Sequence, residues 1–171
     1  MSVLGELQPN KVFKYFEEIC SIPHGSRNLQ QISDYLVDFA KAHELKYRQD
    51  EDLNVIIWKD GSKGYEASEP VILQGHMDMV AVKEADCDKD MEKEGLDLEI
   101  NGDYISAKGT SLGGDDGIAV AYTLAVLDDE EMAHPPIEAI FTVNEEIGML
   151  GAATIAVSYT HLRAHETSQD L

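Results

Sequence analysis

Val71-Ile72-Leu73-Gln74-Gly75-His76-Met77-Asp78-Met79-Val80 is a short apolar run that delivers a histidine and a carboxylate two positions apart. Val71 to Leu73 show no polar alternation, which is the pattern of a strand buried on both faces of a parallel sheet. The polar pair then arrives at the strand's carboxyl end, and open α/β sheets hold their ligands in the crevice outside those ends. Residues i and i+2 of a strand point the same way, so His76 and Asp78 are expected to face one side. A carboxylate so placed can orient an imidazole that binds metal through its other nitrogen. The plainer alternative is a hydrogen-bonded histidine at a strand end, with Asp78 opening a loop.

Working outward, two further stretches carry acidic groups at strand or loop junctions. In Gly109-Thr110-Ser111-Leu112-Gly113-Gly114-Asp115-Asp116-Gly117 a glycine-rich loop runs into a small, apolar helix from Ile118 to Leu127. Aspartate there can simply cap the helix and complement its dipole. Alternatively, the glycines let backbone approach a buried ligand, and two adjacent aspartates exceed what capping requires. The stretch lacks the lysine of a phosphate-binding loop. Ile137-Glu138-Ala139-Ile140-Phe141-Thr142-Val143 reads as another strand, ending in Asn144-Glu145-Glu146-Ile147-Gly148. If it runs parallel to the first strand, its glutamates lie at the same sheet edge as His76 and near Asp115. Three clusters of metal-ligating type, each at such a junction, point to a metal site.

Before the His76 strand, helices are expected from Pro9 or Asn10 to about Ile22 and from about Leu29 to His43, each with an apolar face at the 3.6-residue period. Strands follow at Leu45 to Gln49 and Asn54 to Lys59, then a loop from Gly61 to Glu69. Asp86 to Glu94 is charged and expected at the surface. Asn101-Gly102 predicts a type I′ hairpin turn between Leu98-Glu99-Ile100 and Tyr104-Ile105-Ser106. His24 and His43 have no partner pattern and read as structural or surface residues. Strands alternating with helices predict an α/β fold with a mixed, mainly parallel sheet and helices on both faces.

Composition narrows the function classes. The chain has 171 residues, 43% hydrophobic and 27% charged, with a formal charge of −20. That charge argues against nucleic acid and anionic membrane surfaces as partners, and it suits a site that gathers carboxylates around cations. Cys20 and Cys87 form no motif and no disulfide framework. Met1 to Asn10 has neither a basic nor an apolar signal region, so a cytoplasmic protein is expected.

Taken together in this order and spacing, the motifs resemble those of the metal-dependent aminoacyl-histidine dipeptidases, also called Xaa-His or cytosol non-specific dipeptidases, a group of co-catalytic zinc peptidases. The resemblance runs from Leu7 to about Val157 and rests on Ile19-Cys20-Ser21-Ile22-Pro23-His24, on Gly75 to Val80, on Gly109 to Ile118 and on Glu145 to Met149. It implies a zinc-exopeptidase-like catalytic domain with two divalent metal ions, expected to be zinc. His76 would bind one ion, Asp115 would bridge the two, and Glu146 would bind the other. Asp78 would orient the His76 imidazole, and Glu145 would be the general base for a metal-activated water. Asp116 reads as loop or helix N-terminus rather than ligand. The substrates would be small peptides, with Xaa-His dipeptides expected and broad specificity. A related aminotripeptidase or N-acyl amino acid deacylase is the alternative, as is a fragment without activity.

The sequence also departs from the family. The resemblance implies a further aspartate ligand a couple of dozen residues after the glutamates, a distal histidine ligand, and an inserted lid domain that associates subunits, the parent being expected as a homodimer. None of these is present, so the chain reads as a truncated N-terminal part of the catalytic domain, residues 1–157, expected to be inactive and poorly soluble by itself. Residues 158–171 resemble a translated sequencing adapter rather than the family. His161 and His165 have the i, i+4 spacing of a zinc-binding pair, but the tail is otherwise patternless, so neither they nor Asp170 are taken as ligands.

Overall fold

A computed structural model describes residues 2–155. The tail from Ser158 to Leu171, with His161, His165 and Asp170, lies outside them. The two opening helices form where the apolar period places them. Helix α1, Asn10–Cys20, buries Val12, Tyr15, Phe16, Ile19 and Cys20. Helix α2, Gln30–Ala42, buries Ile32, Leu36, Phe39 and Ala40 along one stripe. A hairpin follows, β1 (Lys46–Gln49) and β2 (Val55–Lys59), and then the strand of the His76 motif, β3 (Val71–His76). A two-stranded ribbon of β4 (Leu98–Asn101) and β5 (Tyr104–Ala107) precedes α3 (Gly114–Leu127), β6 (Ile137–Thr142) and the short α4 (Leu150–Thr154).

The main sheet has the order β1-β2-β6-β3. It is mixed, as expected. The pairing that matters for the site, β3 with β6, is parallel, whereas β1 with β2 and β2 with β6 are antiparallel. Parallel pairing is therefore the minority among the described strands, because β1 and β2 are joined by a short turn that can only reverse the chain.

The strand buried on both faces is β6 rather than β3. All six residues of β6 are buried. In β3 only Gly75 and His76 are buried, and Val71 is 44% exposed. An apolar run such as Val71 to Leu73 does not reveal whether a second neighbour will pair with it. Among the described residues β3 has only β6, so its first half lies at an edge. Val55, Ile57, Ile137, Ala139 and Phe141 point to one face, where they join residues of α1, α2 and α3 in a single core. The three long helices thus share that face, while Ile56, Trp58, Glu138 and Ile140 line the other. There the Trp58 indole donates to the Glu138 carboxylate at 2.9 Å, which satisfies a buried acid.

The ribbon turn is shifted by one residue from expectation. Asn101 pairs with Tyr104, so Gly102 and Asp103 are the central residues, and only Gly102 takes positive φ, at +61°. One positive φ at the first central position is the type II′ pattern rather than type I′. No helix among the described residues is long and apolar enough to cross a membrane.

Candidate metal centre

Three chain segments reach the carboxyl end of the parallel β3–β6 pair. The register sets His76 opposite Thr142, so the residues that follow each strand emerge side by side. Pairing continues past β3, with the Met77 amide donating to the Thr142 carbonyl at 2.8 Å. The third segment is the start of α3. Gly113 there has φ +69°, and a Cβ on it would sit 2.8 Å from the Met79 sulfur, so both conformation and space call for glycine.

His76 is only 7% exposed. Its Nδ1 lies 3.0 Å from the Asp78 carbonyl oxygen and 3.5 Å from Asp78 Oδ1, two acceptors. Nδ1 therefore carries the proton and donates, which leaves Nε2 free as a ligand atom. That Nε2 faces Asp115 Oδ1 at 3.0 Å, and Glu145 Oε2 stands 3.9 Å away. Burial disfavours the charged imidazole. The Asp115 carboxylate, the Asp78 carbonyl and the nearby charges of Asp78 and Asp116 outweigh it and hold the His76 pKa above its ordinary value.

Ligand atoms of His76, Asp115 and Glu146 all lie within 4.8 Å of one another. An imidazole nitrogen and two carboxylate oxygens suit zinc and other divalent cations, and small side-chain shifts bring such atoms to bonding distance of one ion. The residues present therefore fit a metal. The aspartates at the start of α3 do not cap it: the N-cap is Gly113, without a side-chain cap bond, and Asp115 and Asp116 have non-helical backbone angles. Asp115 is instead turned to His76, its side chain 86% exposed.

Asp78 does more than the motif foretold. Its carboxylate is fully buried. Oδ1 accepts the Glu145 amide at 2.9 Å, and Oδ2 accepts the Ser26 hydroxyl at 2.7 Å and the Glu146 amide at 3.4 Å. Asp116 is not among the clustered ligands, but its Oδ2 lies 3.3 Å from the His76 amide. Desolvation raises its pKa, with help from Asp115 and Glu145 and against the opposing pull of His76. Ser26 and the Asp116 contact were invisible in the sequence. The quoted motif Ile19 to His24 stops two residues short of Ser26, and no local pattern marks a hydroxyl that meets a carboxylate 52 positions away.

His24 and His43 are structural. His24 is buried, with Nδ1 2.6 Å from the Ile22 carbonyl, and burial holds its pKa down. His43 follows α2 and stacks on Phe39 with ring centroids 4.3 Å apart.

No protein-family profile matches the chain. A curated relative, the cytosol non-specific dipeptidase of Escherichia coli K12, is 41% identical over 152 residues, covering 89% of this chain and 31% of the relative. The crystal structure of aminoacylhistidine dipeptidase from Vibrio alginolyticus superposes with a TM-score of 0.85 at 40% identity, over 88% of this chain and 31% of that one. The chain is similar to the aminoacyl-histidine dipeptidases. A tripeptidase from Staphylococcus aureus shares the fold, with a TM-score of 0.72 at 24% identity over 94% of this chain and 42% of that one. The chain spans 31% of the length of either dipeptidase relative.

Proposed function

We propose that this chain forms the N-terminal part, residues 1–157, of the catalytic domain of a cytoplasmic metal-dependent dipeptidase, with residues 158–171 standing outside it. The observation that carries the reading is the convergence of His76, Asp115 and Glu146 at the end of a parallel strand pair, with Glu145 beside them. The names of the two dipeptidase relatives support the substrate class, and dipeptides of Xaa-His type are the expected substrates. In this reading two divalent ions, zinc by preference, would be held by His76, Asp115 and Glu146. Bound there, they would polarise the scissile carbonyl and acidify the attacking water.

The chain's own residues supply the rest. Asp78 fixes the His76 ring so that Nε2 points outward. The Glu145 carboxylate, 40% exposed, takes a proton from the attacking water and passes it to the departing amine. A cleft of about 1120 Å³, lined by Arg27, Met79, Val82, Lys83, Glu146 and others, adjoins the cluster and has room for a short peptide. In the full-length protein, Glu145→Gln should leave metal content unchanged and lower dipeptide turnover by about a thousandfold. Retained turnover would remove Glu145 as the base. Hydrolysis of N-acyl amino acids in place of dipeptides would overturn the substrate class and leave the metal centre standing.

A further inference from the structure

We infer that Ser26 is a positioning residue: acting through Asp78, it holds the Glu145–Glu146 turn in the geometry that the metal centre needs. The inference rests on the metal-dependent reading above. Glutamate has a long, flexible side chain, so the aim of two adjacent carboxylates depends on how firmly their backbone is held. In this protein both backbone amides donate to one buried carboxylate, that of Asp78. The same carboxylate lies against the His76 ring. Asp78 therefore couples the histidine ligand to the glutamate pair 67 positions further on.

A carboxylate without solvent needs its lone pairs filled, and it rotates freely unless more than one direction is fixed. Ser26 supplies the donor that comes from outside the proposed machinery, and at 2.7 Å it is the shortest of the contacts to Asp78. Its own place is fixed: the Ser26 amide donates to the Met79 carbonyl at 3.1 Å, and Gly25 bridges to Met79 in parallel fashion. The next residue grips the same turn from its other side, where the Arg27 amide donates to Asn144 Oδ1 at 2.8 Å. Asn144 immediately precedes the glutamates and has φ +54°. The segment Gly25 to Arg27 thus clamps the turn at two points, one through Asp78 and one through Asn144. Removal of the Ser26 hydroxyl leaves Asp78 Oδ2 with only the long 3.4 Å contact to the Glu146 amide, so the carboxylate is held less firmly on the side that faces that amide.

The test uses the full-length protein, first without metal and then titrated with Co²⁺ as the probe. Amide hydrogen exchange is read at Glu145 and Glu146, with Ala139 and Phe141 of β6 as reporters of the fold. Ser26→Ala should lower protection at Glu145 and Glu146 about tenfold while leaving the β6 amides unchanged. It should also raise the Co²⁺ dissociation constant about tenfold. Ser26→Thr, which keeps the hydroxyl, should restore both. Unchanged protection at Glu145 and Glu146 in Ser26→Ala overturns the proposal, as does lowered protection with unaltered Co²⁺ affinity. Loss of protection throughout β6 that Ser26→Thr fails to rescue marks a folding role and also overturns it. Failure of the unsubstituted full-length protein to bind Co²⁺ overturns the metal reading and the positioning role together, and it is recognised without any substitution.

Discussion

Two buried polar side chains, Asp78 and Asn54, organise the carboxyl end of the sheet, and each does so by satisfying backbone from segments far away in sequence. Asn54 is 1% exposed. Its Oδ1 accepts the Val143 amide at 3.1 Å, and its Nδ2 donates to Asp50 Oδ2 at 2.8 Å and is shared with the Gly151 carbonyl and Thr154 Oγ1. Truncation would strand several of these groups out of reach of water, and a buried unpaired donor or acceptor costs about 1–3 kcal/mol. Asn54→Ala should therefore lower unfolding free energy by about 3 kcal/mol, read as a shift of the urea midpoint, while Asn101→Ala in the exposed ribbon turn should stay within about 0.5 kcal/mol of the parent. At this scale the sequence disclosed donor types but not their bonds. His76, Asp78, Asp115, Glu145 and Glu146, which the structure brings together, stood out as candidates because each ends an apolar run or opens one. Ser26, and the grip of Asp78 on two amides, were not, since backbone groups carry no mark in the sequence.

Between elements, the helix face is tied together by Asp128, which follows α3. Lys11 of α1 lies 3.2 Å from its Oδ2, and His43 after α2 lies 3.4 Å from its Oδ1. Partial burial works against the charged form, but the Tyr15 hydroxyl, Lys11 and His43 prevail and hold the Asp128 pKa below its ordinary 3.8. A carboxylate with a depressed folded pKa adds stability above its unfolded value and loses it as pH falls through the folded one. The contribution that follows the Asp128 carboxylate itself should therefore be present above its ordinary range and disappear only below about pH 4. Thermal midpoints of Asp128→Asn should run parallel to those of the parent down to that pH, then converge on them. A gap that persists at low pH would assign the effect of the substitution to packing. The helices and most strands could be read from period and breakers, as at Ile22-Pro23. The one-residue shift at Gly102 could not, because a dipeptide signal does not say which positions of a turn its residues will occupy.

For the molecule as a whole, the order β1-β2-β6-β3 leaves the outer side of β3 without a partner strand among the described residues. Val71 at its start is 44% exposed, and Val80 and Val82, which follow the strand, are 49% and 57% exposed. An open strand edge beside exposed apolar side chains is a template for association. The 171-residue chain should show an apparent mass that rises with concentration in light scattering, and Val71→Lys should reduce the rise. A mass independent of concentration would count against an adhesive edge. The class of the fold was legible from alternating strands and helices. The order of the strands was not, because hydrophobic patterning says which residues are buried but not which neighbour buries them.

That order also sets when the site can exist. The strand at the centre of the sheet, β6, comes from the chain long after the strands it separates, and Gln74 meets Thr142 across 68 positions. β2 and β3 are hydrogen-bonded to β6 and not to each other, so the β1–β2 hairpin and β3 are not joined into one sheet until β6 arrives. Contacts of such separation form slowly, since a long loop must close before they contribute anything. On the ribosome, residues 26, 76 and 115 would emerge and wait, their sheet unfinished and its apolar faces bare, until Glu146 had cleared the exit tunnel. A nascent chain of this kind exposes apolar surface during synthesis, and the cluster of His76, Asp115 and Glu146 should assemble in one step near the end of translation of this segment rather than build up along it.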